Sequence, residues 1–199
     1  MISDTAERIL KAADTLMVDR GYSAFSYADV SEAVNIRKAS IHHHFPTKAD
    51  LAIAVLRGRQ QRLVEGTKLL DQQIKDPLER IRAYVHYWEG CIRDHSMEFC
   101  VAVLLGAELP SLPDEVQWEV RLYFKALSEW LEKTLKAGVQ QRVIKLQETA
   151  TIEAQTLMAV VHGAMLSARA SGTCDVFKAV TDAALKRLSI ARGANARHA

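Results

Sequence analysis

Two short Ser/Thr-x-x-Asp sequences, SYAD at 26–29 and TKAD at 47–50, most constrain what this chain can fold into. In such a sequence the Ser or Thr hydroxyl accepts a hydrogen bond from a backbone N–H in the first turn of a helix. The Asp carboxylate accepts one from the backbone N–H of that Ser or Thr. Asn35 tolerates positive φ, and Pro46 disfavours helix at the residue before it. We therefore predict two short helices between the caps, the second at about 38–44, and a long helix that opens at Thr47. Two short helices joined by a tight turn form a helix-turn-helix unit.

The rest of the 199 residues also favours helix. Gly and Pro are few, 9 and 4, and no run of alternating β-branched residues predicts a strand. Asp4 and Glu7 resemble a further capping pair, and Gly21 is expected to end the first helix in a left-handed conformation. An all-α fold is predicted, with longer helices near 4–20, 48–70, 77–95, 98–109, 114–138, 150–170 and 174–191.

Composition excludes several classes of protein. No apolar segment reaches the roughly 18 residues of a membrane span, and the first residues contain no secretory apolar core. A cytoplasmic protein is therefore expected. The three cysteines, Cys91, Cys100 and Cys174, form no CxxC pair, so neither a structural zinc site nor a disulfide framework is expected. No cofactor is predicted.

Charge changes sign early in the chain. Residues 1–36 carry six acidic and three basic residues, whereas residues 37–62 carry six basic residues and one acidic residue. The basic block contains three consecutive histidines, His42, His43 and His44. Successive helix residues are turned by about 100°, so these side chains fan out and cannot converge on one ion. A short helix before a proline is also a poor cleft for a catalytic base. A helical metal-binding protein or an enzyme that uses this cluster remains the alternative function.

An anion-binding surface fits the neighbouring residues better. Lys48 starts the next helix, where the helix dipole favours a phosphate. Small polar side chains on the short helix can donate hydrogen bonds to base edges, whereas Ile41 and Phe45 would point back and hold this helix on the first one. The residues predicted to contact DNA are Ser26, Arg37, Lys38, Ala39, Ser40, His42, His43, His44 and Lys48.

Residues 25–51, FSYADVSEAVNIRKASIHHHFPTKADL, resemble the DNA-binding signature of the TetR family of bacterial transcriptional repressors. In that signature a Ser or Thr opens the second helix, a turn residue follows, and a Lys-small-Ser/Thr-Ile/Leu-Tyr-x-Tyr/His-Phe run precedes another Lys. The positions that match are Ser26, Ile36, Lys38, Ser40, Ile41, His44, Phe45 and Lys48. The sequence departs from the usual residues at Asn35 (Gly), Arg37 (Ser or Thr), Ala39 (Gly) and His42 (Tyr).

The resemblance covers about the first 55 residues and implies an organisation for the rest. It implies an N-terminal three-helix DNA-binding domain at 1–47, with the helix-turn-helix motif at about 26–45. A C-terminal ligand-binding and dimerisation domain would follow at 48–191, with a disordered tail at 192–199. Such a protein would be a homodimeric repressor that binds a palindromic operator and is released by a small-molecule inducer. The same motif serves activators, so the sign of regulation stays open.

The last two helices are expected to form the homodimer interface, two from each subunit. The helix at 150–170 is rich in small residues, which let helices approach closely. The alternative is that these helices form the core of a single chain. The predicted interface residues are Leu157, Val161, Met165, Phe177, Val180 and Leu188.

The middle of the chain is rich in aromatic residues, and some are expected to line an apolar ligand pocket. The alternative for each is an ordinary place in the core. The predicted pocket residues are Tyr84, Trp88, Phe99, Cys100, Leu104, Trp118, Tyr123, Met158 and His162, with His86, His95 and Glu108 as further polar candidates.

Cys100 is also a candidate redox switch. A cysteine near a helix start, followed by an apolar run and Ala-Glu, resembles the sixth-helix region of electrophile- or oxidant-sensing members of the family. A helix N-terminus can lower a thiol pKa and raise its reactivity. The alternative is a buried, inert cysteine.

Overall fold

The computed structural model describes residues 3–94 and 99–190. Across these two ranges the chain forms nine α-helices and no extended strand. A single 3-10 turn, Leu109–Ser111, follows α6. The helices are α1 (Asp4–Arg20), α2 (Tyr27–Val34), α3 (Lys38–His44), α4 (Lys48–Gln73), α5 (Pro77–Arg93), α6 (Val101–Ala107), α7 (Asp114–Gln140), α8 (Ala150–Ser171) and α9 (Asp175–Leu188).

The all-α prediction is confirmed, and each predicted helix is present; where a predicted end lies within the described residues, it differs from the observed end by less than one turn. Two details at the ends of α1 were wrong. Ser3, not Asp4, caps the helix, because its side chain accepts the Ala6 N–H at 3.3 Å. Gly21 does have positive φ, but its ψ of −180° lies outside the left-handed helical region. The predicted tail at 192–199, residue His95 and the start of a helix at 98 lie outside the described residues.

The chain divides into two compact units, one within residues 1–66 and 97–127 and the other within 67–96 and 128–199. Helices α1 to α3, most of α4, α6 and the first half of α7 belong to the first unit. Helix α5, the second half of α7, α8 and α9 belong to the second. A division into functional domains at residue 47 stays a prediction.

The first unit is built on the helical spacing of apolar residues in α1. Ile9, Ala13 and Met17 lie on one side of that helix and are fully buried. Val30 of α2 and Ile41 of α3 are also fully buried. Burial of these large aliphatic side chains stabilises two helices that are too short to persist alone in water.

Two ion pairs fix α4 within the first unit. Arg59 contacts Asp14 of α1 in a bidentate pair, with Nε–Oδ1 at 2.9 Å and Nη2–Oδ2 at 2.7 Å. Arg57, two residues earlier, contacts Glu119 of α7 at 2.7 Å. Glu119 is only 5% exposed, so removing Arg57 would leave a buried carboxylate without this partner, a change that is strongly destabilising. Helix α4 is therefore tied to α1 on one side and to α7 on the other.

The second unit is organised around α8 and α9. Leu157, Val161 and Met165 of α8 are buried within the chain, as are Phe177 and Leu188 of α9. The segment before α8 joins the end of α9 by two backbone hydrogen bonds, the Lys145 N–H to the Leu188 carbonyl at 2.9 Å and the Ile190 N–H to the Val143 carbonyl at 3.4 Å. These bonds and the shared core fix α8 and α9 as a pair.

Candidate nucleic-acid interface

Local features of the backbone and side chains fix both ends of α2. The Ser26 N–H donates to Asp29 Oδ2 at 2.7 Å, and the Ser26 hydroxyl donates to the same oxygen at 2.6 Å. These two bonds are the main reason that the pKa of Asp29 is held below its usual value. Asn35 ends α2 in the left-handed conformation, with φ 55° and ψ 52°. The capping pair at Ser26 and Asp29 and the left-handed Asn35 were both predicted from the sequence.

Tyr27 closes the other end of the motif and was missed in the sequence. Its hydroxyl oxygen lies 2.7 Å from the Phe45 carbonyl oxygen and 2.6 Å from the Thr47 carbonyl oxygen. The single phenol proton can be donated to only one of these at a time. Burial, followed by the charge of Asp50, raises the pKa of Tyr27 to about 12, so the phenol stays protonated. A tyrosine directly after a capping serine was the available signal.

Helix α3 has one buried anchor. Ile41 is fully buried, whereas Arg37, Lys38, Ala39, His42 and His43 are exposed, and Ser40 and His44 are half-buried. Phe45, expected to point back with Ile41, is also half-buried. Arg37 precedes the helix without a side-chain capping bond. The predicted contact residues of α3 are therefore exposed or half-buried around its one buried side chain.

The three histidines fan out from α3. His42 has its ring 4.6 Å from that of Tyr27, and its Nδ1 lies 3.1 Å from the Pro46 carbonyl oxygen. The His43 and His44 rings lie 5.3 Å apart, edge to face. Among residues 3–94 and 99–190, no group of three His, Cys, Asp or Glu side chains is placed to hold a metal ion.

The remaining two predicted contacts lie outside α3. Ser26 is exposed at the start of α2. Lys48, at the start of α4, is half-buried, with Nζ 4.5 Å above the centre of the Tyr22 ring and 4.6 Å above that of Phe25. Burial lowers the pKa of Lys48, while Glu108 and Asp29 act in the opposite direction. The ammonium group therefore rests on an aromatic platform rather than extending freely into solvent.

The same sequence regions match known proteins. Residues 9–55 match the family described as bacterial regulatory proteins, tetR family, and residues 77–184 match the tetracyclin repressor-like C-terminal domain. The chain belongs to the TetR family. It is a DNA-binding transcriptional regulator rather than an enzyme.

Individual relatives are similar over different shares of the chain. A crystal structure of a TetR-family transcriptional regulator from Agrobacterium tumefaciens is 48% identical, with a TM-score of 0.92 over 94% of this chain and 98% of that one. The transcriptional repressor NemR of Escherichia coli K12 is 25% identical over 84% of this chain and 85% of its own length. The transcriptional activator FasR of Mycolicibacterium smegmatis is 32% identical over 46% of this chain and 42% of its own.

The residues predicted for a TetR-type ligand pocket fall in both units. Phe99, Cys100 and Tyr123 are buried in the first unit, where Leu104 is half-buried and Trp118 is 60% exposed. Tyr84, Trp88 and His162 are buried in the second unit, where Met158 is half-buried. Burial lowers the pKa of His162 to about 4, so its imidazole is neutral at pH 7. An open cavity of about 230 Å³ in the second unit is lined by other residues, including Lys145, Glu153 and Arg187.

The environment of Cys100 differs from the one expected for a reactive thiol. Cys100 directly precedes α6, but it is 3% exposed and its thiol donates to the Tyr123 hydroxyl with Sγ and Oη 3.5 Å apart. Burial raises the pKa of Cys100, and this outweighs the lowering effects of the Tyr123 and backbone hydrogen bonds. The environment favours the alternative of a buried cysteine over the redox switch, because the helix start is inside the core.

The residues predicted for the dimer interface lie mostly inside the single chain. Leu157, Val161, Met165, Phe177 and Leu188 are buried there, and Val180 is 41% exposed. The five buried side chains therefore have little surface left for a second subunit. Other apolar residues of α8 remain exposed, among them Leu166 at 57% and Ile152 at 46%.

In the part of the chain that the structure describes, no helix is long and apolar enough to cross a membrane.

Proposed function

We propose that this TetR-family regulator is a cytoplasmic homodimeric repressor that binds a palindromic operator and is released by a small-molecule inducer. The observation that carries the proposal is the exposure of the basic and polar side chains of α3. Its one buried anchor, Ile41, leaves Arg37, Lys38, Ala39 and His43 exposed on a helix that follows the left-handed turn at Asn35 and ends beside the Tyr27 hydroxyl. A short, preorganised basic helix suits entry into a major groove.

Operator contacts divide by chemistry. We propose that Arg37, Lys38 and Lys48 neutralise phosphates, whereas Ser40, His42 and His43 contact base edges. Lys48 would have to leave its place above the Tyr22 and Phe25 rings, at least in part, to meet a phosphate. The phosphate contacts would supply affinity on any duplex, and the polar contacts would distinguish sequences.

A dimer would place two α3 helices on one face of the duplex, about 34–36 Å apart for half-sites one turn apart. We propose that the second subunit covers the exposed apolar side of α8 and α9, which includes Ile152, Leu166 and Val180. The five predicted interface residues that are buried within the chain would then form the core beneath this surface. An inducer that binds a dimer with a different helix separation would shift the population off DNA.

The trigger is proposed to be a small, largely apolar molecule rather than modification of Cys100. Burial of this thiol and its raised pKa leave little thiolate at neutral pH, and the thiolate is the reactive form. The sign of regulation is proposed as repression, as in NemR. Activation, as in FasR, is the alternative, and transcription in vitro from the bound promoter distinguishes the two.

The first experiment is fluorescence anisotropy of the purified protein against DNA from upstream of its own gene, beside unrelated DNA, across a salt series. We expect much tighter binding to the upstream DNA. Lys38→Ala should weaken binding to both duplexes and reduce the salt slope by about one. His43→Ala should instead change the preference among sequences more than the affinity for unrelated DNA.

Lys68→Ala is the matched control, because Lys68 is also an exposed helical lysine but lies in α4 beyond the first unit. It should leave both affinities and the salt slope unchanged. Equal, weak and strongly salt-dependent binding to both duplexes would contradict an operator upstream of the gene. If Lys38→Ala and Lys68→Ala behaved alike, the assignment of α3 as the reading helix would be wrong.

A further inference from the structure

Glu108, at the end of α6, holds the turn between α1 and α2. Its carboxylate accepts the Tyr22 N–H at 2.9 Å on Oε1 and the Ser23 N–H at 2.9 Å on Oε2. The Ser23 hydroxyl donates to Oε2 at 2.7 Å. Three donors from one turn thus converge on one carboxylate that lies 85 residues further along the chain than Ser23. Hydrogen bonds to an ionised acceptor are among the stronger ones in proteins.

Gly21 lets the Glu108 carboxylate come this close. A Cβ atom at residue 21 would overlap Glu108 Oε1, and the positive φ of 77° disfavours any side chain there. The glycine and the glutamate therefore fit each other, and Gly21 would be hard to replace while Glu108 is present. The sequence predicted only a helix end at Gly21 and offered Glu108 as a pocket residue.

The held turn lies against a predicted DNA contact. Tyr22 and Phe25 form the platform beneath Lys48 Nζ, at 4.5 and 4.6 Å from the ring centres. The negative charge of Glu108 also acts on Lys48 and favours its protonated form. Glu108 thus fixes the aromatic support of this lysine through the turn and acts on its charge directly.

Helix α6 connects Glu108 to the core of the first unit. Val101, Ala102 and Leu105 of α6 are fully buried, and the helix packs on α1. Because α6 has only seven residues, its position is determined by this packing and not by its own stability. A displacement of α6 would carry Glu108 with it and withdraw the acceptor from the turn.

We propose that Glu108 is a positioning residue for DNA binding. Its carboxylate holds the α1–α2 turn and, through Tyr22 and Phe25, the aromatic platform from which the α4 lysine reaches a phosphate of the operator. Displacement of α6 would release both. This inference rests on the proposed function, since it assigns Glu108 a role in sequence-specific binding.

Hydrogen exchange of the full-length protein tests the hold on the turn. In Glu108→Ala the amides of Tyr22 and Ser23 should exchange about tenfold faster or more than in the parent, because they lose a charged acceptor. Glu108→Gln keeps one carbonyl oxygen and should fall between the two. Glu79→Gln, an exposed glutamate of α5 with the same change in net charge, should leave both amides as they are.

Binding to a duplex that the parent protein selects from a random pool tests the positioning role. Glu108→Ala should lose about tenfold in affinity for the selected duplex and less for unrelated DNA, since removing a negative charge in itself favours phosphate contacts. Glu108→Gln should recover part of the specific affinity. Faster amide exchange with unchanged specific binding would refute the positioning role, and unchanged exchange would refute the hold itself.

A double-mutant cycle guards against a variant that simply unfolds. Gly21→Ala alone should be severely destabilised, because the new methyl group overlaps Glu108 and the backbone is strained. In the Glu108→Ala background the overlap is gone, so Gly21→Ala should shift the thermal midpoint less; equal shifts in the two backgrounds would contradict the fit. If the parent protein enriches no duplex at all, the proposed function has failed, and exchange at Tyr22 and Ser23 still decides whether Glu108 holds the turn.

Discussion

Helices α3 and α6 are matched in length and differ in burial. Each has seven residues, Lys38–His44 and Val101–Ala107. Each follows a residue, Arg37 or Cys100, that has extended backbone and makes no side-chain capping bond. Helices this short are not stable alone in water, so both depend on the contacts that the rest of the first unit provides.

Those contacts lie on different parts of the two helices. Helix α3 is held by one buried side chain, Ile41, and by the Tyr27 hydroxyl beyond its end. Helix α6 buries Val101, Ala102 and Leu105, and Cys100 before it is buried as well. A single anchor leaves the other faces of α3 available to DNA. A buried face makes α6 unsuited to contact DNA, but able to pass a displacement of the core to its end.

The largest expected effect comes from removing the anchors. Ile41→Ala and Leu105→Ala each truncate a fully buried side chain, and each should lower the free energy of unfolding by about 2–5 kcal/mol. Under conditions where both variants are folded, Ile41→Ala should lose more specific DNA affinity, because α3 has no second anchor. Urea denaturation and anisotropy measure the two effects.

Leu69→Ala is the control for this pair, since Leu69 is half exposed on α4 and lies beyond the first unit. Leu69→Ala should change the free energy of unfolding by less than about 0.5 kcal/mol. If Ile41→Ala kept its specific DNA affinity in the folded state, the single-anchor description of α3 would be wrong.

The buried start of α6 predicts a dependence on alkaline pH. The folded state raises the pKa of Cys100 above its ordinary value of 9.0, so the folded protein keeps a proton that the unfolded chain has lost. This contribution to stability is complete below pH 9 and is lost as the pH rises further, by at most about 1.4 kcal/mol per pH unit. Denaturation of the parent and of Cys100→Ser from pH 7 to pH 10 should show a steeper loss in the parent.

The same pair of proteins tests the thiol switch. A maleimide should modify native Cys100 more slowly than the half-buried Cys91 and Cys174. If DNA release by a maleimide or an oxidant required Cys100 and occurred in the native protein, α6 would open more readily than its burial indicates.

The helix-turn-helix could be predicted from the sequence because its determinants are local. The capping pairs at 26–29 and 47–50, the left-handed Asn35 and the helix end at Pro46 each depend on residues within a few positions. The buried Ile41 also followed from spacing. Such features do not require knowledge of what packs against them.

The roles of Tyr27, Cys100 and Glu108 depend on distant residues and could not be predicted in this way. Tyr27 contacts carbonyl groups 18 and 20 residues further along the chain, and Glu108 meets a turn 85 residues earlier. The buried residues of α8 and α9 had the right helical spacing, but spacing alone does not say whether an apolar stripe faces its own chain or a second subunit. The ends of the helices were therefore predicted better than the partners that their apolar sides pack against.

A smaller effect is expected at the end of α3. Tyr27→Phe removes the hydroxyl near the Phe45 and Thr47 carbonyls but keeps the ring beside His42. Loss of one hydrogen bond should cost about 1 kcal/mol, since water can reach the freed carbonyls. Amide exchange across 45–48 should rise more than exchange in α6. A uniform rise in both helices would mean that Tyr27 stabilises the whole unit and not the end of α3.

The smallest effect, and the only stabilising one, is expected at the start of α3. Arg37 already has the extended backbone of a capping residue, with φ −70° and ψ 143°. Arg37→Ser should therefore supply the missing cap and stabilise the protein by about 0.5–1 kcal/mol relative to Arg37→Ala, which lacks both charge and cap. Both variants should lose the same DNA affinity if Arg37 serves only as a phosphate contact. If Arg37→Ser bound DNA more tightly than Arg37→Ala by the amount of the stability gain, α3 would be frayed in free protein, and its preorganisation would be incomplete.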